Sequence, residues 1–365
     1  PTVLLYCHYD VQPPGDLAEW HSPPFRLTER GGRWYGRGAA DAKGNLVAHL
    51  TALRALGPDP PVGVRVLVEG SEESDSSALV DHVRAHPRDF AADAVLLGDS
   101  GNAEVGVPTA TVVLRGAVDL TVTVELPDRR RRHGPDAPAA LLRILNALRD
   151  GTGAPCLPGL PVDGNWSQED WDEGEFRQAA GVLPGVALTG TGSVADRLWA
   201  RPALTVTGID GPPATGAGTA RARINLRIPP GTEADSAAAA LVARIRQSAP
   251  WGARVAVTVL NSARPYRASA SGPVWAAFAD AAREVYGQPL RYRGDGGTVP
   301  VCSALAEAHP GAEVIMVGVE EPLARVHAPD ESVHPDELAR TAATEALFCR
   351  RLAAGVPGVP TAPAG

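Results

Sequence analysis

Short apolar runs alternate with segments of helical periodicity over much of the chain. Four runs contain almost no polar positions and are predicted as strands buried on both faces, at 2–7, 62–68, 94–97 and 314–319. The spacing of apolar residues predicts helices between or beside them, at 46–56, 76–85 and 335–353. Strands that alternate with helices are typical of a mostly parallel sheet.

The pattern changes between about 115 and 264. Apolar and polar residues alternate from Val118 to Leu126, which predicts a strand with one buried face. The elements predicted after it are a helix at 139–148, strands at 203–209 and 219–228, a helix at 233–247 and a strand at 253–260. This β-α-β-β-α-β order indicates a ferredoxin-like domain. A Gly/Pro/acid-rich loop at 151–200 interrupts it, and a loop of that length is either functional or mobile.

The α/β pattern then resumes with helices predicted at 273–286 and 299–308. We therefore predict one α/β domain, formed by 1–114 and 265–365, and a smaller α+β domain inserted at 115–264. A chain of 365 residues has room for two such domains.

Composition excludes several classes of partner. The net charge of −8 gives no electrostatic support for binding to nucleic acid or an anionic membrane, and no apolar run is long enough to cross a bilayer. The four cysteines are scattered without a CxxC pair, which predicts free thiols in a reducing, cytoplasmic compartment. Pro1 opens directly onto a strand-like run, so we expect that the natural N-terminus is missing or unusual.

Histidines and acids follow the predicted buried strands, where ligands gather in parallel sheets. The candidate ligands among them are His8, Glu73, Asp99 and His327, joined by Asp41 in a Gly/Ala-rich turn before a predicted helix. Imidazoles and carboxylates without a thiolate suit Zn²⁺ and related divalent ions. Two imidazoles and three carboxylates are too many ligands for one zinc with an open position. They fit two metals about 3.5–4 Å apart if Asp41 is shared.

Two neighbours of these ligands have predicted supporting roles. His8 and Asp10 are two residues apart, so on a strand Asp10 points to the same side and can orient the His8 ring. Glu72 and Glu73 are adjacent, so one can bind metal while the other acts as a general base on a water between the metals.

Each of these residues also fits an ordinary role. Alone, Asp41 is a helix N-cap, 72–75 is a solvated charge run, and Asp99 caps a turn. His327 competes with His309 and His334, and His334 before Pro335 resembles the N-cap of the last helix. Their joint occurrence at the ends of predicted strands favours the metal site.

Motifs along nearly the whole chain resemble one family, the di-zinc metallopeptidases that include aminoacylase-1, glutamate carboxypeptidase, succinyl-diaminopimelate desuccinylase and the carnosinase-type dipeptidases. The matching segments are His8-Tyr-Asp10-Val-Gln-Pro, 34–44, Glu69-Gly-Ser-Glu72-Glu73, Asp99-Ser, 296–300 and His327-Ala-Pro-Asp-Glu331. The resemblance implies that Asp41 bridges two zincs, with His8 and Asp99 on one and Glu73 and His327 on the other. It further implies that Glu72 is the general base, that Asp10 orients His8, and that the Asp41–Ala42 peptide is cis.

The resemblance also suggests how substrate and partner bind. It implies that the inserted domain is a lid and dimerisation domain, and that His133 reaches the partner's active site in a homodimer. The sequence around His133 departs from the family pattern, and a basic loop that caps the next helix is the alternative. Arg227 matches the family's arginine for the substrate carboxylate, and arginine is suited to bidentate carboxylate binding. Gly297 and Thr298 precede a predicted helix, so their amides can bind an anion.

These observations predict a hydrolase with two Zn²⁺ per chain, for which Mn²⁺ or Co²⁺ would substitute. Its expected reaction is cleavage of an amide bond next to a free α-carboxylate, as in a dipeptidase or carboxypeptidase. Asp99, where other branches have Glu, resembles the dipeptidase branch. The alternatives are an N-acyl-amino-acid deacylase with the same mechanism and a non-catalytic binding homologue, so the expected ligand is a small peptide or an N-acyl amino acid.

Overall fold

The computed structural model describes residues 1–74, 76–126, 136–210 and 218–355. The strands are β1 (Thr2–His8), β2 (Thr28–Arg30), β3 (Arg33–Tyr35), β4 (Gly63–Glu69), β5 (Ala94–Gly98), β6 (Thr109–Leu114), β7 (Gly116–Glu125), β8 (Ala203–Asp210), β9 (Thr219–Ile228), β10 (Arg254–Ala263), β11 (Tyr266–Arg267), β12 (Arg291–Asp295), β13 (Glu313–Val317) and β14 (Ser332–Val333). The helices are α1 (Lys43–Leu56), α2 (Ser77–Ala85), α3 (Ala137–Ala147), α4 (Glu173–Ala179), α5 (Ala234–Gln247), α6 (Pro273–Tyr286), α7 (Pro300–Ala308) and α8 (Pro335–Ala353). Within these ranges no helix combines the length and the apolar character needed to cross a bilayer.

The described residues form two compact units. The first comprises Pro1–Val112, Ala268–Arg293 and the chain from Val299 onward. The second comprises Val113–Arg267 together with the short segment Gly294–Thr298. The domain limits predicted at 115 and 264 stay a prediction that a fragment of the chain can test.

The first unit contains a mostly parallel sheet, as the apolar runs predict. Its strands lie in the order β6-β13-β5-β1-β4, and β12 also pairs with β6. The neighbours β13, β5, β1 and β4 are parallel, whereas β6 runs antiparallel to β13. The carboxyl ends of the four parallel strands therefore meet at one edge of the sheet, where ligands gather in α/β folds.

One predicted strand is less buried than its composition suggests. Strand β4 was expected to be buried on both faces, but it lies at the edge of the sheet, and Val66 and Val68 are 46% and 38% exposed. An apolar run does not distinguish a central strand from an edge strand, because both carry the same β-branched residues.

Helices α1, α6 and α8 pack against one another, and α2 packs against α7. Phe278 of α6 meets Phe348 of α8 edge to face, with ring centroids 5.6 Å apart. A separate small sheet joins β14, β3 and β2, and it places residue 331 beside the turn that carries Asp41.

The second unit has the predicted ferredoxin-like order. Its four strands pair antiparallel in the order β10-β7-β9-β8, and the sequence β7-α3-β8-β9-α5-β10 is a β-α-β-β-α-β unit. On β9 the alternation is as predicted, since Ala222, Ile224, Leu226 and Ile228 are buried while Arg223 is exposed. These side chains join residues of β7, α3 and α5 in one hydrophobic core.

The segment 151–200, predicted as a loop, contains helix α4. Asp172 caps this helix by accepting a hydrogen bond from the amide of Glu175 at 3.0 Å. Trp166 and Trp171 pack against Trp199, at centroid distances of 4.9 and 6.4 Å. The capping signal Asp172-x-x-Glu175 was present in the sequence, but the surrounding glycines and acids obscured it.

Candidate metal centre

The predicted metal ligands converge in the first unit. His8 is the last residue of β1, Glu73 follows β4, Asp99 follows β5, and His327 lies beyond β13. The parallel order of these strands brings their carboxyl ends together, which is why residues so distant in sequence meet.

Asp41 lies between the two histidines. Its Oδ1 is 2.8 Å from His8 Nε2, and its Oδ2 is 2.8 Å from His327 Nε2. Helix α1 begins at Lys43 after Ala42, which makes no side-chain capping bond, so Asp41 does not act as the helix N-cap. The Asp41–Ala42 peptide is cis, as the resemblance implies.

Two groups of potential metal ligands lie beside each other, and Asp41, a member of the second, contacts His8 of the first. The first is His8, Glu72 and Asp99, and the second is Asp41, Glu73 and His327; within each group the ligand atoms lie within 4.8 Å of one another. His8 Nε2 is 3.2 Å from Asp99 Oδ1, and His327 Nε2 is 3.2 Å from Glu73 Oε2. Donor atoms bound to one ion at 2.0–2.2 Å lie roughly 3.0–3.5 Å apart, so the spacing fits divalent metal binding.

A third group adds an acid that the sequence analysis did not identify. Ligand atoms of Asp41, Asp99 and Glu320 also lie within 4.8 Å of one another. The backbone of Glu320 is fixed beside the loop after β5, because its carbonyl accepts a hydrogen bond from the amide of Asn102 at 2.7 Å. Glu320 follows β13 by three residues, so the strand-end rule that found Asp99 could have found it.

The carboxylates change the protonation of the histidines. Burial lowers the pKa of His8, but its bonds to Asp41 and Asp99 outweigh burial and raise it to about 12. Bonds to Asp41 and Glu73 raise the pKa of His327 to about 10. Burial raises the pKa of Asp41, yet the bonds from His327 and His8 hold it below its ordinary value. The centre is thus rich in negative charge and favours cations.

Glu72 has the environment of a proton acceptor. Burial raises the pKa of its carboxyl to about 8, and the negative charge of Asp99 adds to this effect. A carboxylate whose pKa lies near neutrality can take up and return a proton at physiological pH. Its place beside His8 and Asp99 agrees with the predicted role of general base, which stays a prediction.

Asp10 links the first histidine to the two glutamates. Its carboxylate accepts hydrogen bonds from the amides of Glu72 at 3.3 Å and Glu73 at 3.0 Å. Its Oδ1 is 3.4 Å from His8 Nδ1, while its backbone carbonyl oxygen is 3.1 Å from the same nitrogen. Asp10 is therefore placed to orient His8, and it also positions the turn that carries Glu72 and Glu73.

Gln12 is a further positioning residue that the sequence analysis missed. Its backbone amide donates to Glu73 Oε1 at 3.0 Å, and its side-chain amide donates to Glu73 Oε2 at 2.8 Å. Both oxygens of Glu73 are thereby oriented. Gln12 was visible only as part of the family motif, since an isolated glutamine carries no signal for this contact.

A buried ion pair holds the Asp41 turn. Arg37 Nη1 donates to Glu331 Oε2 at 2.7 Å, and both side chains are 1% exposed. Glu331 Oε1 accepts from the amides of Ala40 at 3.1 Å and Asp41 at 3.2 Å. The conformation of the turn therefore depends on a segment almost 300 residues away in sequence.

The competing histidines have other partners. His334 caps α8 by accepting from the amide of Asp336 at 3.2 Å, as predicted. His309 Nε2 lies 2.8 Å from the carbonyl oxygen of Pro87. His327 has a positive φ of 64° and a half-exposed side chain, and among these three histidines it alone belongs to a ligand group.

The predicted substrate residues belong to the second unit. Arg227 is half-buried on β9. Burial lowers the pKa of Arg115, and the positive charge of Arg227 lowers it further. The amide of Gly297 already donates to Asp295 Oδ1 at 2.7 Å, so an anion bound at Gly297 and Thr298 would have to replace this contact. His133 lies outside the described residues.

The sheet and the paired ligand groups at its edge define a metal-dependent hydrolase. A model of Peptidase family M20/M25/M40 matches residues 4–351. The chain therefore belongs to this family of metallopeptidases, which implies divalent-metal binding, and the resemblance found in its motifs is confirmed.

Curated relatives include named dipeptidases. The chain is 40% identical to the cysteinylglycine-S-conjugate dipeptidase of Corynebacterium striatum, over 95% of this chain and 80% of the relative. It is 28% identical to the Beta-Ala-His dipeptidase of Rattus norvegicus, over 82% of this chain and 67% of the relative. Both names agree with the dipeptidase branch that Asp99 suggested.

Solved structures share the fold. Human carnosine dipeptidase 1 superposes with a TM-score of 0.80 at 25% identity, covering 97% of this chain and 80% of that one. The M20 family metallo-carboxypeptidase Sso-CP2 from Sulfolobus solfataricus gives a TM-score of 0.84 at 23% identity, covering 97% and 85%. The second likeness supports the fold alone.

Proposed function

We propose that this metallopeptidase is a dipeptidase that binds two Zn²⁺ ions and hydrolyses the amide bond of dipeptides with a free α-carboxylate. The observation that carries the proposal is the position of Asp41, whose two oxygens each lie 2.8 Å from a different histidine. A carboxylate shared in this way suits a pair of ions, and the nitrogen and oxygen donors suit zinc. Mn²⁺ and Co²⁺ are the expected substitutes.

The proposed roles of the ligands combine the family resemblance with the two groups. His8 and Asp99 would hold one ion, Glu73 and His327 the other, and Asp41 both. When bound, the ions would supply Lewis acidity at the scissile carbonyl and lower the pKa of the attacking water. Glu72 would take the proton from that water and return it to the leaving amine. Asp10, which contacts the His8 ring and the amide of Glu72, would orient both residues.

The substrate carboxylate requires a cation or free amides. Arg227 is the proposed partner, since its planar guanidinium binds a carboxylate through two bonds. Gly297 and Thr298 are proposed as supporting donors, in exchange for the present Gly297–Asp295 contact. Loss of Arg227 would raise KM for dipeptides more than it lowers kcat, because it removes binding rather than chemistry.

Assembly and compartment are also proposals. We infer a homodimer through the second unit, with His133 acting on the partner's substrate, from the family resemblance. Strand β10 lies at a sheet edge and exposes Val259 and Leu260, as a pairing surface would. The four free cysteines, three of them buried, support a reducing cytoplasmic setting.

A substrate panel tests the proposed function. Metal-loaded protein would be assayed against cysteinylglycine, its S-conjugates and β-alanyl-histidine, and in parallel against N-acetyl and N-succinyl amino acids, with zinc, manganese and cobalt each supplied. We expect dipeptide turnover in preference to release of the acyl groups. Preference for the N-acyl substrates would identify a deacylase instead, and turnover of neither class with any metal would contradict the proposal.

The variant Glu72→Gln separates chemistry from metal binding. Loss of a general base should lower kcat by about 10²–10⁴-fold while the bound metal stays near the wild-type level. Glu29→Gln, at an exposed glutamate of the same unit, is the matched control and should leave kcat unchanged. A Glu72→Gln variant with near wild-type kcat would show that another group accepts the proton.

A further inference from the structure

A cavity of about 200 Å³ lies wholly within the second unit. Its walls come from the segment after α3, the loop at 188–191, the turn at 194–202 and the start of β8. At about 30 Å³ per water, the volume equals that of roughly six or seven water molecules. The cavity therefore has room for a small organic molecule.

The walls combine apolar and cationic groups. The apolar part includes Val162, Phe176 and Leu188, and the cationic part consists of three arginines, Arg115, Arg197 and Arg201. No Asp or Glu is found among the described residues that line the cavity. A ligand that fits this lining has a hydrocarbon body and a negative charge.

Two of the arginines have unused hydrogen-bonding capacity. Arg115 is only 9% exposed, and its Nε is buried without a hydrogen-bond partner in the described part of the chain. The Nε of Arg197 is likewise buried and has no hydrogen-bond partner among the described residues. Buried polar groups are almost always paired, because an unpaired donor of this kind is costly. Both residues line the cavity, so an anion there would meet the guanidinium groups of two arginines that are not fully paired.

Arg201 has a different task, since its guanidinium is already paired. Its Nε donates to the carbonyl of Gly164 at 2.7 Å, and its Nη1 donates to the carbonyl and the hydroxyl of Thr191 at 2.6 and 2.8 Å. A Cβ at position 192 would lie 2.7 Å from Arg201 Cζ, so the close approach of this loop requires Gly192. Arg201 thus fixes the wall and keeps the cavity formed before a ligand enters.

We propose that this cavity is a binding site for a small carboxylate that has a hydrocarbon body and no cationic group. The guanidinium groups of Arg115 and Arg197 match a carboxylate in geometry and charge. Inorganic phosphate or sulfate would leave the apolar walls without a partner. A zwitterionic amino acid would bring an ammonium group to a lining without carboxylates. The lining contains none of the residues assigned above to the metal centre or to the substrate carboxylate, although the charge of Arg227 acts on Arg115.

Calorimetric titration with benzoate tests the proposal on the metal-loaded protein. Benzyl alcohol serves as the neutral analogue, and phenylalanine as the zwitterion. We expect saturable binding of benzoate and much weaker binding of the other two. Arg197→Leu should raise the Kd for benzoate by about tenfold or more, because it removes a charge-assisted contact. Val162→Trp should have a similar effect, because it fills the cavity.

Matched variants control for general effects. Arg246→Leu and Val186→Trp change exposed residues of the same unit that do not line the cavity, and they should alter the Kd by less than about twofold. Circular dichroism would verify that each variant folds. If Arg197→Leu does not fold, Arg197→Lys and Val162→Trp decide the question, with the lysine expected to retain part of the affinity.

Three results would overturn the proposal. The first is an absence of saturable benzoate binding up to about 10 mM. The second is equal affinity for benzoate and benzyl alcohol, or an unchanged Kd in Arg197→Leu and Val162→Trp. The third is loss of benzoate binding when the metals are removed by a chelator, which would place the carboxylate at the metal centre. Binding that persists after chelation supports the cavity.

Discussion

Asp41 uses both oxygens of one carboxylate at the metal centre. The amide of asparagine has a similar shape, but it replaces one of these oxygens with a hydrogen-bond donor that cannot bind a cation. The neighbours of Asp41 are placed differently, because Asp99 contacts His8 at 3.2 Å and Glu73 contacts His327 at 3.2 Å, whereas Asp41 contacts both histidines. A single residue therefore decides whether the two ligand groups act together.

Metal binding should release protons from the histidines. With pKa values raised to about 12 for His8 and about 10 for His327, both rings are protonated near neutrality in the metal-free protein. A metal binds only the neutral ring, so protons compete with it, and its affinity should rise as pH rises. Calorimetry of Zn²⁺ binding in two buffers of different ionisation enthalpy should show release of at least about one proton per chain.

A surface histidine provides the control for this measurement. His82→Gln, on the exposed face of α2, should release the same number of protons as the wild type. An affinity for Zn²⁺ that stays constant between about pH 6 and pH 8 would contradict the protonation states described for His8 and His327.

At the scale of elements, the turn that carries Asp41 is held by contacts with a distant segment. Glu331 precedes β14, which pairs with β3 immediately before the turn. The glutamate accepts from two amides of the turn and from Arg37, all within the buried interior. Arg37 thus stabilises the buried negative charge of Glu331, and the Glu331 carboxylate in turn orients the turn.

Arg37→Met should destabilise the protein by about 3–5 kcal/mol, because it leaves the Glu331 charge buried and unpaired. The variant should also bind zinc more weakly, since the Asp41 turn loses part of its support. Urea unfolding monitored by circular dichroism measures the free energy of unfolding. Arg54→Met, at an exposed arginine on α1, is the control, and a loss below about 1 kcal/mol in Arg37→Met would refute the structural role assigned to the pair.

Much of the site could be predicted from the sequence because it follows one rule. His8, Glu73 and Asp99 lie at or just beyond the ends of strands whose apolar composition identifies them, and parallel strands end at the same edge. The role of Gln12 depended on the approach of two segments about sixty residues apart, and that of Glu331 on an approach across about 290 residues. No local pattern encodes such contacts. The exposure of β4 was missed for a related reason, since its place at the sheet edge depends on the other strands.

At the scale of the whole molecule, the second unit carries its own core. The buried side chains of β7, α3, β9 and α5 form one cluster, with contributions from residues of the intervening segments. A unit with a separate hydrophobic core can fold on its own. The separate core agrees with a second domain at the place where the hydrophobic pattern changes.

A fragment of residues 115–264 should therefore fold. We expect a circular dichroism spectrum of mixed α/β type and a single cooperative thermal transition, as is usual for a small domain. The fragment 1–114 is the comparison, since it lacks β13 and α8 of its own unit and should not fold cooperatively. A fragment 115–264 without a cooperative transition would contradict the predicted limits.

The most direct measurement is the zinc content of the wild type and of Asp41→Asn, after chelation, reloading with Zn²⁺ and gel filtration. We predict about two zincs per chain for the wild type and for the control Asp59→Asn, which changes an exposed aspartate. Asp41→Asn should retain less than about half of that zinc and should lose dipeptide hydrolysis. A wild type that binds no zinc after reloading, or an Asp41→Asn variant that keeps both ions, would contradict the shared-carboxylate centre.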